Sequence, residues 1–294
     1  MYRTMVRTFS YIIYKILRFL NILFFKITNR SFLIWFTEFI EKDSYKNLNI
    51  LGKNIRFFAP NYITNRLVDE FFTKEPETIE WIDSFKEDED KIIFWDIGAN
   101  IGIYSIYAAL KYQNIEVISF EPSTSNLRIL SRNISINKLE DKIKINQFPL
   151  SNKENRYSLF REEKFIEGTA LHTWGENYNF EGKTFEPSNN YKIYGTSVNY
   201  LLDNKILNIP DYIKVDVDGI EHLILEGSSK YLQDSRIKSF SLELNENFKE
   251  QIDTVLKIMK ENNFSLKHKK RAEYLEDYKD VRMKKIYNYV FERG

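Results

Sequence analysis

At 294 residues, 43% of them apolar and including 23 Phe and 19 Tyr, the chain is too rich in core-forming side chains to be disordered. It is long enough for one large domain, or for one domain with a smaller attachment. The absence of Cys excludes disulfides, thiolate metal sites and a Cys nucleophile, and His172, His222 and His268 fall in no metal-ligand spacing. A net charge of +1 offers no field for nucleic acid, so no nucleic-acid partner is expected. Nothing argues for an oxidising compartment, and a cytoplasmic location is the expectation.

The overall charge hides an asymmetry. Arg3, Arg7, Lys15, Arg18, Lys26 and Arg30 all precede the first acid, Glu38. Over residues 9–40, Phe9, Ile12, Ile13, Ile16, Leu17, Leu20, Leu23, Phe24 and Ile27 are interleaved at roughly helical spacing with Ser10, Tyr14, Arg18, Asn21 and Lys26. This pattern predicts an amphipathic helix with a narrow basic face. Charge interrupts it too often for a span of about 20 apolar residues. It has no small-residue cleavage site, so a signal peptide is not expected. Two readings stand for residues 1–40: contact with the periphery of a membrane, or packing on the rest of the chain or on a second subunit of a homo-oligomer. Residues 1–48 are therefore set apart as an amino-terminal helical segment.

Residues 49–90 read as a lead-in. A hairpin is expected over 49–60, turning at Gly52-Lys53-Asn54, followed by a helical stretch over 61–85 that Pro76 breaks. The acidic run Glu87-Asp88-Glu89-Asp90 marks a solvated boundary. Residues 91–294 then alternate strand and helix. Strands are expected at Ile92–Trp95, Glu116–Phe120, Lys142–Phe148, Tyr212–Val217, Ser239–Leu244 and near 286–292. Helices are expected from about Ile103, over Ser123–Asn137 and Glu221–Leu232, and near 249–262. Residues 149–200 read as irregular, suited to loops or a hairpin over a site. Repeated βα units imply a mostly parallel sheet with helices on both faces, an α/β class.

Candidate chemistry lies at the carboxyl ends of these strands, where open α/β sheets bind ligands. Asp96-Ile97-Gly98-Ala99-Asn100-Ile101-Gly102 follows the first strand. Its glycines are four apart, unlike a dinucleotide fingerprint, so the loop suits a neutral ribose and an amino-acid tail, with Asp96 available to an ammonium. Glu121 ends the second strand, where an acid accepts hydrogen bonds from ribose hydroxyls. Lys214-Val215-Asp216-Val217-Asp218-Gly219-Ile220-Glu221-His222 crowds three acids and a His at the fourth strand end. Asp216 is assigned to an ammonium or to the acceptor, and His222, Asp218 and Glu221 are candidates for the general base. Glu243 ends the fifth strand and is a candidate for binding acceptor hydroxyls. His172 is a further base candidate, in a stretch (Gly168-Thr169, Trp174, Tyr178, Tyr191, Tyr194) that reads as a lid, a sugar platform or an ordinary surface loop. No metal is assigned, with Mg²⁺ on the carboxylates as the lesser reading.

These blocks together resemble the FkbM family of methyltransferases that use S-adenosylmethionine. The resemblance is carried by FWDIGANIGIYSIYAAL at 94–110, ISFEPSTSNLRIL at 118–130, NYLLDN at 199–204, IKVDVDGIEHLILEGS at 213–228, SFSLELNEN at 239–247 and NYVF at 288–291. It covers about 50–294 and leaves 1–45 outside. It implies a Rossmann-like class I methyltransferase fold and O-methylation of a small-molecule or glycan hydroxyl, of a sugar or a natural product. It implies that Asp96, Gly98, Ala99, Asn100, Gly102 and Glu121 hold S-adenosyl-L-methionine, with Ser151 bordering the adenine. Asp216, Gly219 and Glu221 match the family's D-x-E-G-x-E block, except that the middle acid here is Asp218, one methylene shorter. Two competing readings are an NAD-dependent oxidoreductase, which the missing GxGxxG opposes, and a catalytically inert protein that binds a membrane or a partner.

Overall fold

The computed structural model of the chain describes residues 2–87, 90–271 and 281–294. Asp88 and Glu89 of the acidic run lie outside the described residues. The chain forms two compact units, Met1–Tyr45 and Lys46–Gly294.

The first unit is a helical pair, α1 (Tyr2–Thr28) and α2 (Leu33–Asp43). No Gly or Pro occurs before Gly52, so nothing breaks the 3.6-residue apolar period until Asn29, whose left-handed φ of 54° ends α1. The Asn21 side-chain oxygen accepts from the Ser31 hydroxyl (3.0 Å) and from the amides of Phe32 (2.9 Å) and Leu33 (3.2 Å). It thereby satisfies donors that the start of α2 leaves free. The Phe24 and Phe32 rings meet edge to face at 5.6 Å. None of the α2 residues is buried.

The second unit begins with the hairpin β1 (Tyr45–Ile50) and β2 (Lys53–Phe58). Its turn is Leu51–Gly52, not Gly52–Asn54. Both residues take positive φ (51° and 76°), as a tight right-twisted hairpin requires, and Asn49 accepts the Gly52 amide at 3.1 Å. The single broken helix expected over 61–85 is two, α3 (Tyr62–Asp69) and α4 (Pro76–Asp83). Asn61 and Thr64 form a reciprocal cap on α3, and Pro76 opens α4.

The remaining elements follow in order: β3 (Ile92–Ile97), α5 (Ile103–Lys111), β4 (Ile115–Phe120), α6 (Thr124–Ile136), β5 (Ile143–Asn146), β6 (Arg156–Glu162), β7 (His172–Trp174), β8 (Asn189–Gly195), α7 (Val198–Asp203), β9 (Tyr212–Val215), α8 (Glu221–Glu226), β10 (Ser239–Asn245), α9 (Lys249–Glu261), β11 (Phe264–Lys270) and β12 (Ile286–Arg293). Seven strands form one sheet in the order β11-β12-β10-β9-β3-β4-β5. The run from β10 to β5 is parallel, and β12 is antiparallel to both of its neighbours. This is the expected α/β architecture. The expectation lacked β11. It also read 149–200 as irregular, whereas β7-β6-β8 form a separate antiparallel sheet.

Trp95, Phe120, Val215 and Leu242 come from four adjacent strands and are at most 1% exposed. Each contributes about 1.5–3 kcal/mol by leaving water. The chain runs from β3 outward to β5, then returns to β9 on the other side of β3. A crevice therefore opens at the carboxyl ends of β3 and β9, where the strand order reverses.

Candidate active site

The loop after β3 is held in one shape by contacts that only glycine permits. Gly98 has φ 88°, and a Cβ there would lie 1.8 Å from the Asp216 carbonyl oxygen. At Gly102, also φ 88°, a Cβ would lie 2.6 Å from Leu130 Cδ1. The amides of Gly98 and Ala99 both donate to the Phe120 carbonyl at 3.0 Å, stitching the loop to the end of β4.

Glu121 stands at that end, 4% exposed. Its carboxylate accepts the amides of Asn100 and Ser123, each at 2.8 Å. Burial dominates its titration and pushes it up to about 7, against those amides and Asn126, which pull it down. Asn126 also accepts the Gly168 amide (2.8 Å) and donates to the Thr169 carbonyl (3.1 Å). Asn100 donates to the same Thr169 carbonyl at 3.2 Å. The Gly168–Thr169 segment is therefore tied to the glycine loop.

Asp96 is fully buried in β3, beside Lys214 on β9 and Ser119 on β4. One oxygen accepts from Ser105 at 2.6 Å; the other, Oδ1, has no partner. Burial raises its pKa, and Lys214 opposes the rise. The Asn100 side-chain oxygen Oδ1 and both ring nitrogens of His172 are also buried without partners.

Lys214 is the charge at the centre of this region. It is 1% exposed, donates to Asp216 at 2.7 Å and lies 5.0 Å from the centre of the Tyr104 ring. Burial alone would favour loss of its proton, but Asp216, Glu75 and Asp96 outweigh burial and keep it charged. Carboxylate oxygens of Glu75, Asp216 and Glu243 lie within 4.8 Å of one another. Burial raises Glu75, yet its ion pair with Lys74 and the field of Lys214 win and bring it down to about 2. Glu243 is held well above the carboxylate range by burial, then by Asp216 and Glu75. The three acids have the spacing of a cation site, and Lys214 and Lys74 already supply two ammonium counter-charges.

Asp218 has φ 61° and accepts the Leu171 amide at 2.7 Å, so the start of β7 reaches over it. Burial, then Asp216, pushes it up to about 7. Glu221 opens α8 at 1% exposure and closes its own loop. It accepts the Val217 amide (3.0 Å), the Gly219 amide (3.1 Å) and the Gln251 side-chain amide. Burial is the largest influence and raises it to about 8. Asp218, Gly219, Glu221, Glu243, Asn245 and Gln251 line one small cavity with Phe180 and Ile286.

His222 packs edge to face on Phe248 at 5.7 Å. Burial lowers its pKa, and the acids acting on it are Glu226, Glu250 and Glu176 rather than those of the crevice. His172 sits opposite Glu162 in the β6–β7 ladder, lowered by burial against the pull of Glu162. Ser151 is 1% exposed, bonds to Thr196 and Asn152, and packs under Gly227.

The fold thus gathers Asp96, Gly98, Ala99, Asn100, Gly102 and Glu121 on one side of the crevice, and Asp216, Asp218, Glu221 and Glu243 on the other. His222 and Ser151 have their contacts elsewhere. Glu75 and Lys74 carried no sequence signal as site residues, and Lys214 was placed by strand alternation on one face with Asp216 and Asp218 without a role. Only the acid preceding the helix-opening Pro76 hinted at a constrained position.

The family profile described as Methyltransferase FkbM domain matches residues 96–266. The methyltransferase sdnD of Sordaria araneosa is 32% identical over 90 residues, which is 31% of this chain and 34% of that protein. The match thus spans about a third of that relative. Among solved structures, a putative rRNA-methylase from Clostridium thermocellum is similar with a TM-score of 0.44 and 9% identity, covering 74% of this chain and 96% of that one. The M. capricolum protein TrmK, solved with S-adenosyl-homocysteine, is similar with a TM-score of 0.41 and 12% identity, covering 74% and 67%.

Proposed function

The chain belongs to the FkbM family of methyltransferase domains, and we propose that it moves a methyl group from S-adenosylmethionine to a hydroxyl oxygen, that of a sugar in a glycan or glycolipid. The observation that carries the cofactor assignment is the set of buried acceptors without partners, Asp96 Oδ1 and Asn100 Oδ1, beside Glu121. Buried acceptors are costly unless a donor reaches them. S-Adenosylmethionine is rich in donors: an ammonium, two ribose hydroxyls and an exocyclic amine. The residues present fit it. Glu121 would accept from the ribose hydroxyls, Gly98 lets the loop after β3 pack directly on the Asp216 backbone, and Asp96 and Asp216 would hold the ammonium. When bound, the cofactor supplies an electrophilic methyl group on a sulfonium.

The chain's own part is to place a hydroxyl in line with that methyl and to remove its proton. We assign the proton to Asp218, a carboxyl poised near neutrality by burial and by Asp216. Glu243 orients the acceptor hydroxyls, and Lys214 fixes Asp216. Glu221 holds the loop that presents Asp218. The basic, apolar residues 1–40 support a peripheral position at a membrane, which suits a glycolipid acceptor.

Incubation with S-adenosylmethionine labelled in its methyl group, across a panel of glycans, glycolipids and sugar nucleotides, tests the acceptor class. Label recovered as a methyl ether on a sugar oxygen is the expected result. Label on nitrogen or carbon would overturn the hydroxyl assignment.

A further inference from the structure

α1 passes the simple test for a membrane span, since Thr4–Thr28 is long and apolar enough to cross. The angular placement of its charges decides otherwise. At about 100° per residue, Arg7, Lys15, Arg18 and Lys26 fall within one arc of about 100° that runs along most of the helix. Phe9, Ile12, Ile16, Leu20, Leu23 and Ile27 lie on the opposite arc, and all of these residues are exposed. Tyr11, Ile22 and Phe25 are the apolar or aromatic intrusions into the basic arc. A crossing helix would carry Lys15 and Arg18 to the middle of the hydrocarbon, where each is strongly unfavourable. A helix lying along the surface keeps every charge level with the headgroups and sinks the apolar arc.

α2 points the same way. At 11 residues it is about 16 Å long, too short for a hydrocarbon core of about 30 Å. Asn21 reverses the chain into it. Trp35, Phe36, Phe39 and Ile40 project from it exposed, a composition suited to the interface.

We propose that α1 and α2 lie in the plane of an anionic lipid surface, held by the apolar arc beneath and by Arg7, Lys15, Arg18 and Lys26 at the phosphate level. The occupant of this face is a bilayer, because α1 carries no acid and its basic arc complements acidic headgroups, while α2, which holds Glu38, Glu41 and Asp43, adds only apolar contact. The inference rests on the peripheral-membrane reading above and adds the mode of contact.

The absence of Cys makes the test direct, since one introduced thiol takes a unique label. Tyr14 and Ile16 lie about 160° apart around the middle of α1, Tyr14 at the edge of the basic arc and Ile16 within the apolar one. Tyr14→Cys and Ile16→Cys chains, each carrying an environment-sensitive fluorophore, are mixed with vesicles of phosphatidylcholine and phosphatidylserine. The expected result is a label at position 16 that is buried in lipid and a label at 14 that stays wet. Lys15→Gln with Arg18→Gln should weaken vesicle binding roughly 30-fold, at about one decade per 1.4 kcal/mol and about 1 kcal/mol per charge. Burial of both labels means a crossing helix; it overturns this inference and leaves the membrane reading standing. Two wet labels overturn both, and so do labels shielded without lipid in a concentration-dependent oligomer.

Discussion

Glu121 carries the sharpest expectation at the level of single residues. Glu121→Ala should weaken S-adenosylmethionine binding more than about 100-fold, because two charge-assisted hydrogen bonds to ribose are each worth about 1.5–3 kcal/mol, at about 1.4 kcal/mol per decade; calorimetric titration measures it. Unchanged affinity would remove the ribose assignment. As the proposed base, Asp218 should govern the pH profile. A base must be deprotonated, so kcat/KM should rise with pH to a plateau, with its midpoint close to the value of about 7 set by burial and Asp216. Asp218→Asn should lose about 100-fold or more in turnover while S-adenosylmethionine affinity holds. Should His222→Ala lose turnover instead, the proton belongs to His222. The glycines, Glu121 and the acids of the β9 end were legible because each sits next to a recognisable strand end. Glu75 was not, because its partners Asp216 and Glu243 are remote in sequence and no local pattern encodes the meeting.

At the level of elements, the glycine loop and its supports set the site. Gly98→Ala places a methyl group 1.8 Å from the Asp216 carbonyl in a left-handed backbone. The loop must then move, and cofactor binding should be lost even where the chain remains folded, as circular dichroism beside calorimetry would show. Asn133 joins three pieces. It accepts the Phe58 amide of β2 at 2.7 Å and donates to the Ile101 carbonyl of the loop at 2.9 Å, fully buried on α6. Asn133→Ala strands both groups and should cost about 2–4 kcal/mol, read as a lowered denaturation midpoint. The buried parallel strands were readable as short apolar runs. β11 was not: Phe264–Lys270 has Phe264 and Leu266 as its only large apolar residues and ends in Lys269-Lys270, as suits a charged sheet edge. The β7-β6-β8 sheet escaped because its pattern is polar and its pairing joins distant residues such as Glu162 and Asn189.

At the level of the whole molecule, buried acids tie stability to pH. Burial raises Glu221 from an ordinary 4.5 to about 8, so the folded state holds a proton that the unfolded chain has released. Its contribution is full below about pH 4.5 and is lost as pH rises towards about 8. Glu221→Gln removes this loss. Relative to the variant, the parent should lose about 1.5 kcal/mol between about pH 6.5 and about pH 8 by denaturant titration. That window avoids the buried His172 and His222, whose lowered values act in the opposite direction below about pH 6.5. The sequence set residues 1–48 apart by their charge asymmetry and 49–90 as a lead-in, whereas the chain forms two compact units, Met1–Tyr45 and Lys46–Gly294. The in-plane disposition proposed for α1 rests on its angular geometry, which the mere alternation of apolar and basic residues left open.

The central claim, that the crevice between β3 and β9 holds S-adenosylmethionine, meets its most direct test in calorimetric titration of the full chain with that compound and with S-adenosylhomocysteine. One equivalent of each bound per chain, lost in Glu121→Ala, is the predicted result. No heat of binding from a sample shown to be folded would contradict it, and the inert, partner-binding reading would take its place.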